Sequence, residues 1–224
     1  MVGSAIEVDH LDGVTLLGIR QFGLSRSSVL LKRSFDILGA TLGLILLAPL
    51  FAIIAVAIKL DARGSVFFRQ LRVGRNGERF EIWKFRSMIS GADAQKPDLR
   101  ELNEAGTGLF KMSADPRVTR VGRIMRRSSL DELPQLVNVL RGQMSLVGPR
   151  PLVDDEDEQI LGTDRRRLQL KPGMTGHWQI LGSSRAPLAE MVKLDYLYVA
   201  GWSLWSDVKI LLRTLPHVMA RRGQ

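Results

Sequence analysis

The sequence contains no cysteine, which excludes disulfide bridges and cysteine-ligated zinc. Its three histidines, His10, His177 and His217, are far apart and show no metal-ligand spacing. Neither a phosphate-binding Gly-x-x-x-x-Gly-Lys loop nor a dinucleotide-binding glycine fingerprint occurs. The first thirty residues lack the basic start and apolar core of a secretory signal. Histidine-dependent hydrolysis and dinucleotide chemistry are therefore not indicated.

Acidic charge is also scarce, and the chain carries a net charge of +9. Most of this excess lies between Lys59 and Arg150, where arginine predominates. Arginine presents a planar, permanently charged fork that suits phosphate oxygens. The middle of the chain therefore resembles a surface for polyanions, with three candidate classes: anionic lipid headgroups, nucleic acid, or a phosphorylated substrate. Charge alone does not choose among them.

A continuous apolar run at residues 37–58 is interrupted by Pro49. As a straight helix it would be about 33 Å long, against about 30 Å for a bilayer core. Proline inside a helix removes a hydrogen bond and clashes with the preceding turn. Basic residues flank both ends, beginning with Lys32 and Lys59, and such residues favour the cytoplasmic side. We predict a re-entrant, proline-broken hairpin with both ends on one face; a kinked spanning helix is the alternative.

The remaining pattern predicts an α/β (α+β), mostly helical small domain. Residues 1–30 form an N-terminal arm or the tail of a preceding domain, with short strands. Residues 31–60 are the re-entrant helix-break-helix, and residues 61–220 form the main domain. Two strands around a turn are predicted within residues 65–88. Near the C-terminus, Trp202 and Trp205 lie beside a helical apolar pattern, which indicates an interfacial amphipathic helix or, alternatively, a core helix.

An adjacent acid pair, Asp131-Glu132, lies among arginines just ahead of a helical pattern. One interpretation is structural, because Ser129 and Glu132 have the spacing of a capping box. The other is catalytic. A helix N-terminus and neighbours such as Arg126 are expected to lower the pKa of Asp131. A carboxylate of this kind is a poor general base but an adequate nucleophile toward phosphorus when cations neutralise the phosphates.

Basic residues in two further motifs are candidates for phosphate contacts. In WKFRSM, residues 83–88, Lys84 and Arg86 are predicted on one strand face; aromatic core packing with solvated charges is the alternative. In PRP, residues 149–151, two prolines fix the backbone around Arg150, which suits a rigid phosphate-binding fork or an ordinary turn. The loop at residues 171–179 could hold a nucleotide or sugar, or be a structural crossing.

Five ordered motifs carry a family resemblance. They are KRxxD at 32–36, the proline-broken run, WKFRSM at 83–88, SLDELPQ at 129–135, and PRP at 149–151 with PGxTG at 172–176. Over residues 31–215 the chain resembles the bacterial sugar transferase family, the monotopic phosphoglycosyl transferases that start exopolysaccharide and O-antigen synthesis. The resemblance implies a non-spanning membrane helix, a catalytic domain on the cytoplasmic face of the bacterial inner membrane, and Mg²⁺ as cofactor. The implied reaction moves a sugar-1-phosphate from a UDP-sugar to undecaprenyl phosphate and releases UMP.

The resemblance also implies roles for individual residues. Asp131 matches the nucleophile that forms a phosphosugar–enzyme intermediate, and Glu132 matches its partner toward the metal or the lipid phosphate. The basic positions expected to hold phosphates are Lys84, Arg86, Arg126 and Arg150. Inner-membrane lipids are expected partners, nucleic acid is not, and homodimerisation is left open.

The chain departs from the family pattern at two places. Alanine precedes Pro49 where many members have serine, so the proline must act alone at the helix break. After Gly182 the chain has two serines and then Arg185 where members often have Gly-Arg, which makes Arg185 a candidate shifted substitute. Residues 1–30 resemble the end of the domain that precedes the catalytic part in larger, polytopic members. The alternative function is a membrane-attached basic module that binds anionic lipid or nucleic acid, although such a module gains nothing from the acid pair.

Overall fold

The computed structural model describes residues 6–11, 14–19, 24–92, 112, 115–180 and 187–219. Helices predominate in these ranges, as expected. They are α1 (Arg26–Asp61), α2 (Arg120–Arg127), α3 (Gln135–Leu140), α4 (Asp154–Asp157), α5 (His177–Ile180), α6 (Leu188–Ala200) and α7 (Leu204–Met219). The strands are β1 (Ile6–Leu11), β2 (Val14–Ile19), β3 (Phe67–Val73), β4 (Arg79–Phe85), β5 (Ser145–Val147) and β6 (Gly173–Thr175).

The strands form three two-stranded sheets. Antiparallel pairs β1–β2 and β3–β4 confirm the strands expected in the N-terminal arm and in residues 65–88. The turn between β3 and β4 uses Asn76 and Gly77, both at positive φ, as tight turns require. Strands β5 and β6 pair in parallel and lie at the centre of the domain, where β5 is buried throughout.

Helix α1 begins at a capped end and continues through Pro49 as one helix of 36 residues, so the helix-break-helix predicted for residues 31–60 is not seen as two separate helices. The Ser25 hydroxyl accepts the amide hydrogen of Ser28, which satisfies one of the free donors of the first turn. Among the described residues, α1 alone is long and apolar enough to cross a membrane. Much of its apolar surface is exposed, including Leu38 at 70%. A re-entrant path through a bilayer stays a prediction at this point.

Both halves of α1 pack on the same domain. In the first half Ala40 is fully buried against the core around α3 and β5. In the second half Ile54 and Ile58 pack with Phe85 and Met125, from β4 and α2. Contacts at both ends therefore hold the two halves of the apolar run to one body, while the opposite face of the helix is free.

Two glycines allow the first half of α1 to approach the domain closely. A Cβ atom at Gly39 would lie 2.6 Å from the Leu146 side chain, and one at Gly43 would lie 3.2 Å from Leu136. Larger residues at these positions would push the helix away from β5 and α3.

Lys32 fixes the start of α1 through a buried ion pair. Its Nζ lies 2.6 Å from Asp207 in α7, with both side chains almost completely buried. The same Nζ donates to the Val147 carbonyl of β5 at 2.9 Å. Tyr198 donates to Asp207 at 2.6 Å, so the buried carboxylate is well satisfied. One lysine thus connects α1, β5 and α7.

The other charged residues of the KRxxD motif also make structural contacts. Arg33 donates to the last two carbonyls of α3, at 2.6 and 2.8 Å, where the helix leaves acceptors unpaired. Asp36 is buried and accepts from the Ser145 hydroxyl and the Leu146 amide, both at 2.9 Å. This motif therefore docks α1 on the domain.

We expect Lys32→Met to destabilise the protein strongly, because it leaves Asp207 buried without its cation. Breaking a buried pair in this way costs about 3–5 kcal/mol, which corresponds to roughly 10 °C in Tm for a domain of this size. The control is Arg69→Met, which breaks the exposed Arg69–Glu81 pair and should cost no more than about 1 kcal/mol. Thermal unfolding of both variants in detergent checks this, and equal Tm values would refute the anchoring role.

Candidate active site

The acid pair lies in a 3₁₀ turn, Leu130–Glu132, between α2 and α3. The capping-box interpretation is wrong, because Ser129 adopts a left-handed conformation with φ 53 and its side chain makes no cap. Pro134 instead occupies the N-cap position of α3, where the missing amide hydrogen is not needed. A non-glycine residue at positive φ is uncommon and is often associated with a functional site.

Glu132 is held by Lys84 from the neighbouring strand. The Lys84 Nζ donates to Glu132 at 2.6 Å, and both side chains are partly exposed. Asn138, fully buried in α3, keeps strand and turn together, since its side chain accepts from the Trp83 amide and donates to the Glu81 carbonyl. A buried amide with satisfied hydrogen bonds fixes the register of β4, and hence of Lys84, on α3.

The two carboxyl groups have opposite pKa shifts. Burial raises the pKa of Asp131 to about 6; the Glu132 charge raises it further, while Lys84 and Arg126 counteract. Burial also acts to raise the pKa of Glu132, but Lys84 outweighs it and holds that pKa below its usual range. The low pKa expected for Asp131 is therefore wrong, because desolvation exceeds the effect of the nearby arginines. Asp131 is the more basic carboxylate and remains largely ionised at neutral pH.

Arg72 and Arg150 face the same acid pair. Their charges both help to lower the pKa of Glu132. Arg72 donates to the Pro151 carbonyl at 3.2 Å, and its buried Nε has no hydrogen-bond partner. No motif indicated Arg72, since the sequence alone cannot distinguish it from Arg69, the other arginine of β3.

Contacts other than the two flanking prolines also hold Arg150 in place. Its guanidinium lies 4.8 Å from the centroid of the Trp178 ring, an arrangement that favours stacking. The Arg150 amide donates to Asp195 at 3.2 Å, and its carbonyl accepts from Arg167. Arg167 and Asp195 form a 2.8 Å ion pair in which each side chain is 1% exposed. Both backbone polar groups of Arg150 are thus held by one buried pair, which the sequence did not indicate.

Arg86 does not join this cluster. Strand β4 ends at Phe85, so the expectation that Arg86 shares a strand face with Lys84 is wrong. Its buried guanidinium donates to the Ala62 and Arg63 carbonyls at 2.6 and 2.7 Å, at the end of α1. Gly64 leaves the space for it, since a Cβ there would lie 2.1 Å from the guanidinium. This placement gives Arg86 a structural role.

Three other predicted residues have different outcomes. Arg126, in the last turn of α2, is close enough to lower the pKa of Asp131, so it belongs to the cluster. Arg185 lies outside the described residues. Pro49 lies in α1, and the next residues, Leu50 and Phe51, pack against the hydrophobic cluster that includes Leu130 and Leu133 on either side of the acid pair.

The predicted magnesium site is limited to two carboxylates. No group of three or more His, Cys, Asp or Glu residues suited to a metal occurs in the part of the chain that the structure describes. Mg²⁺ commonly binds through one or two carboxylates together with substrate phosphates and water. Asp131 and Glu132 fit a shared site of that kind, and do not fit a closed protein cage.

The sequence comparisons agree with this architecture. A family model described as bacterial sugar transferase matches residues 27–221. The chain therefore belongs to the bacterial sugar transferase family. It is 46% identical to the galactosyl transferase CpsE of Streptococcus agalactiae over 198 residues, which are 88% of this chain and 44% of that protein.

Two further relatives differ in length. Exopolysaccharide production protein ExoY of Rhizobium meliloti is 43% identical over 196 residues, 86% of this chain and 87% of that protein. UDP-glucose:undecaprenyl-phosphate glucose-1-phosphate transferase of Escherichia coli is 39% identical over 216 residues, 93% of this chain and 44% of that protein. The chain thus spans less than half of CpsE and of the E. coli enzyme, but most of ExoY.

We predict that the Asp131 carboxyl titrates near pH 6. Carbon-13 NMR of carboxyl-labelled protein would measure it, with Asp131→Asn used to assign the signal. In Glu132→Gln the midpoint should move to lower pH, because a neighbouring negative charge is lost and Lys84 is freed. Glu158→Gln, a remote exposed position, is the matched control. A midpoint near 4 in the unmodified protein would contradict the effect of burial.

Proposed function

We propose that this protein transfers a sugar-1-phosphate from a UDP-sugar to undecaprenyl phosphate, with Asp131 as the nucleophile. The observation that carries the proposal is a pair of carboxylates inside a cluster of cations. Lys84 forms its ion pair with Glu132 and not with Asp131, the more basic carboxylate. A surface that only binds polyanions would be weakened by such carboxylates. The names of the relatives, which include an undecaprenyl-phosphate galactose phosphotransferase from Salmonella typhimurium, support the same reaction.

In the first step an Asp131 oxygen attacks the sugar-bearing phosphorus of the UDP-sugar. A new carboxylate–phosphorus bond forms, the bond to the bridging oxygen breaks, and UMP leaves with that oxygen. In the second step an oxygen of undecaprenyl phosphate attacks the same phosphorus, and the aspartate carboxylate is released. The product is the polyprenyl diphosphosugar, so atoms and charge balance over the two steps.

The cations solve the main electrostatic problem of this reaction, which is bringing an anion toward a diphosphate. Lys84, Arg126 and Arg150 supply fixed positive charge around the acid pair, and Arg72 adds a buried guanidinium. Positive groups already in place where phosphoryl charge moves need no reorganisation during the reaction. Lys84 also keeps Glu132 ionised and directed, so Asp131 alone is available for attack.

Magnesium is part of the proposal. Asp131 and Glu132 would hold the ion together with diphosphate oxygens, where it would neutralise charge on the donor. The rest of the coordination sphere would come from substrate and water, since within the described residues no group of three or more potential metal ligands occurs.

We also propose that α1 enters the membrane from the cytoplasmic side and returns to it. The two halves of α1 rest on one domain, and basic residues flank both ends, which favours a single face. The free face of α1 is apolar and suits lipid. Exposed Ile124 on α2 and Trp205 on α7 add apolar groups beside arginine and lysine, as interfacial helices do.

Asp131→Asn should abolish UMP release, by at least about a thousandfold, because the amide cannot act as nucleophile. The assay uses purified protein, Mg²⁺, undecaprenyl phosphate and a panel of UDP-sugars, and the panel also identifies the donor. Asp155→Asn, on the exposed face of α4, is the control and should keep full activity. A folded wild-type protein that releases no UMP with any donor would overturn the proposed function.

The topology can be checked by cysteine labelling, since the chain has no native cysteine. Single Ser28→Cys and Ser65→Cys variants should both be protected from a membrane-impermeant thiol reagent added outside cells. Both should react once the inner face is opened. In Pro49→Leu the proline inside the apolar run is removed, and we expect part of the protein to span and activity to fall. Labelling of the Ser28→Cys variant from outside, with Pro49 present, would exclude re-entry.

A further inference from the structure

A second group of cations surrounds the C-terminal end of α3, the end opposite the acid pair. It consists of Arg33 of α1, Arg75 of the β3–β4 turn, Arg141 after α3, and Lys171 before β6. We propose that these four residues, the α3-end cluster, bind the phosphodiester headgroup of an anionic phospholipid. This site goes beyond the proposed transferase reaction; it rests on the proposed insertion of α1 into a membrane, but not on the reaction.

Two of the cations converge on a single turn. Gly142 has φ +78, and a Cβ built on it would lie 3.3 Å from the Lys171 Nζ and 3.5 Å from an Arg33 guanidinium nitrogen. Both charges therefore face the same side of the turn, next to Arg141. A side chain at this position would crowd both groups, so the glycine allows the ammonium and the guanidinium to approach the same turn.

The α3-end cluster has no carboxylate in an ion pair, as far as the described residues show. Arg33 and Lys171 are half-buried, and Arg33 already spends its donors on α3 carbonyls. The pKa of Lys171 is lowered by burial first, then by Arg33 and Arg75. The charge of Asp36 raises the pKa of Lys171, but Asp36 is buried and accepts a hydrogen bond from Ser145. The cations thus repel one another, and a bound anion would relieve this.

The position of the cluster fits a bilayer surface. Arg33 stands at the start of the apolar run, between the exposed residues Leu31 and Ile37. The next aromatic surface is Trp83, whose ring lies between the guanidiniums of Arg69 and Arg141 at 4.9 and 4.8 Å. Protein surfaces at the headgroup level of a membrane typically carry apolar side chains, tryptophan and cations without carboxylate partners next to one another.

The same location argues against a substrate phosphate. Helix α3 and its flanking turns separate Gly142 from Glu132 by ten residues, about 15 Å at the helical rise. A phosphate bound at the α3-end cluster could not be in contact with Asp131. We therefore assign the cluster to lipid of the surrounding membrane rather than to the donor or acceptor.

The test uses the purified protein in a zwitterionic detergent and short-chain, monomeric dihexanoyl phosphatidylglycerol. Binding is measured by titration calorimetry and by the rise in Tm. We expect the Lys171→Gln/Arg141→Gln double variant to bind roughly 25-fold more weakly, at about fivefold per cation removed. The matched control is Arg79→Gln/Arg165→Gln, which removes two cations elsewhere and should leave the affinity unchanged. Arg75→Gln/Arg141→Gln, both exposed, replaces the double variant if that protein does not fold.

Three results would overturn the assignment. The first is equal binding of dihexanoyl phosphatidylcholine, which would mean that the acyl chains alone are bound. The second is an equal Tm rise with inorganic phosphate at the same concentration, which would mean a free-anion site. The third is loss of UMP release by the double variant in detergent without phosphatidylglycerol, which would place the cluster in the active site. Because lipid binding is measured without substrates, a failed transferase assay would leave this proposal standing.

Discussion

Lys32 joins a largely lipid-compatible helix to a polar domain at a point that water cannot reach. Its ammonium group lies between the Asp207 carboxylate and the Val147 carbonyl, and all three groups are buried. A buried ion pair contributes little net stability compared with an apolar replacement, but removing one partner is costly. Such a pair therefore defines one docking position for α1. Val147 lies at the end of β5, three residues before Arg150, so the anchor of the helix and the backbone that holds Arg150 share one short segment.

The acid pair shows how a site with many cations can still contain a reactive carboxylate. If Lys84 paired equally with both acids, it would lower the pKa of each carboxylate and occupy one oxygen of each. The lysine instead pairs with Glu132, and Asp131 keeps a pKa raised by burial. Environments that push two neighbouring pKa values apart commonly assign different roles to chemically similar groups. Here the division separates a charged, orienting glutamate from a more basic aspartate, which is the better nucleophile.

Much of this organisation could be predicted from the sequence, because it depends on local pattern. The apolar run, the β3–β4 hairpin and the acid pair are contiguous in the chain, and the prolines around Arg150 already indicate a fixed backbone. The errors concern quantities that depend on the fold. Burial of Asp131 is not visible in its neighbours, and they predicted the opposite pKa shift. The Asp195–Arg167 pair that holds Arg150 comes from residues far along the chain, with no spacing to connect them.

Basic residues of this chain serve three physically distinct purposes, and their surroundings distinguish them where composition cannot. Arg86 and Arg33 donate to carbonyls at helix ends, so their hydrogen-bond donors are largely used within the fold. Lys84 and Arg150 lie beside carboxylates. An incoming phosphate must therefore compete with the existing negative charge or add to it. Lys171 and Arg141 have neither role: Lys171 lies beside Gly142, and Arg141 lies over the half-buried Trp83 ring. The net charge of +9 therefore does not indicate one function for the basic residues. Cations near carboxylates suit chemistry on a diphosphate, whereas cations without them, at the edge of an apolar helix, suit a stationary anionic surface such as a membrane.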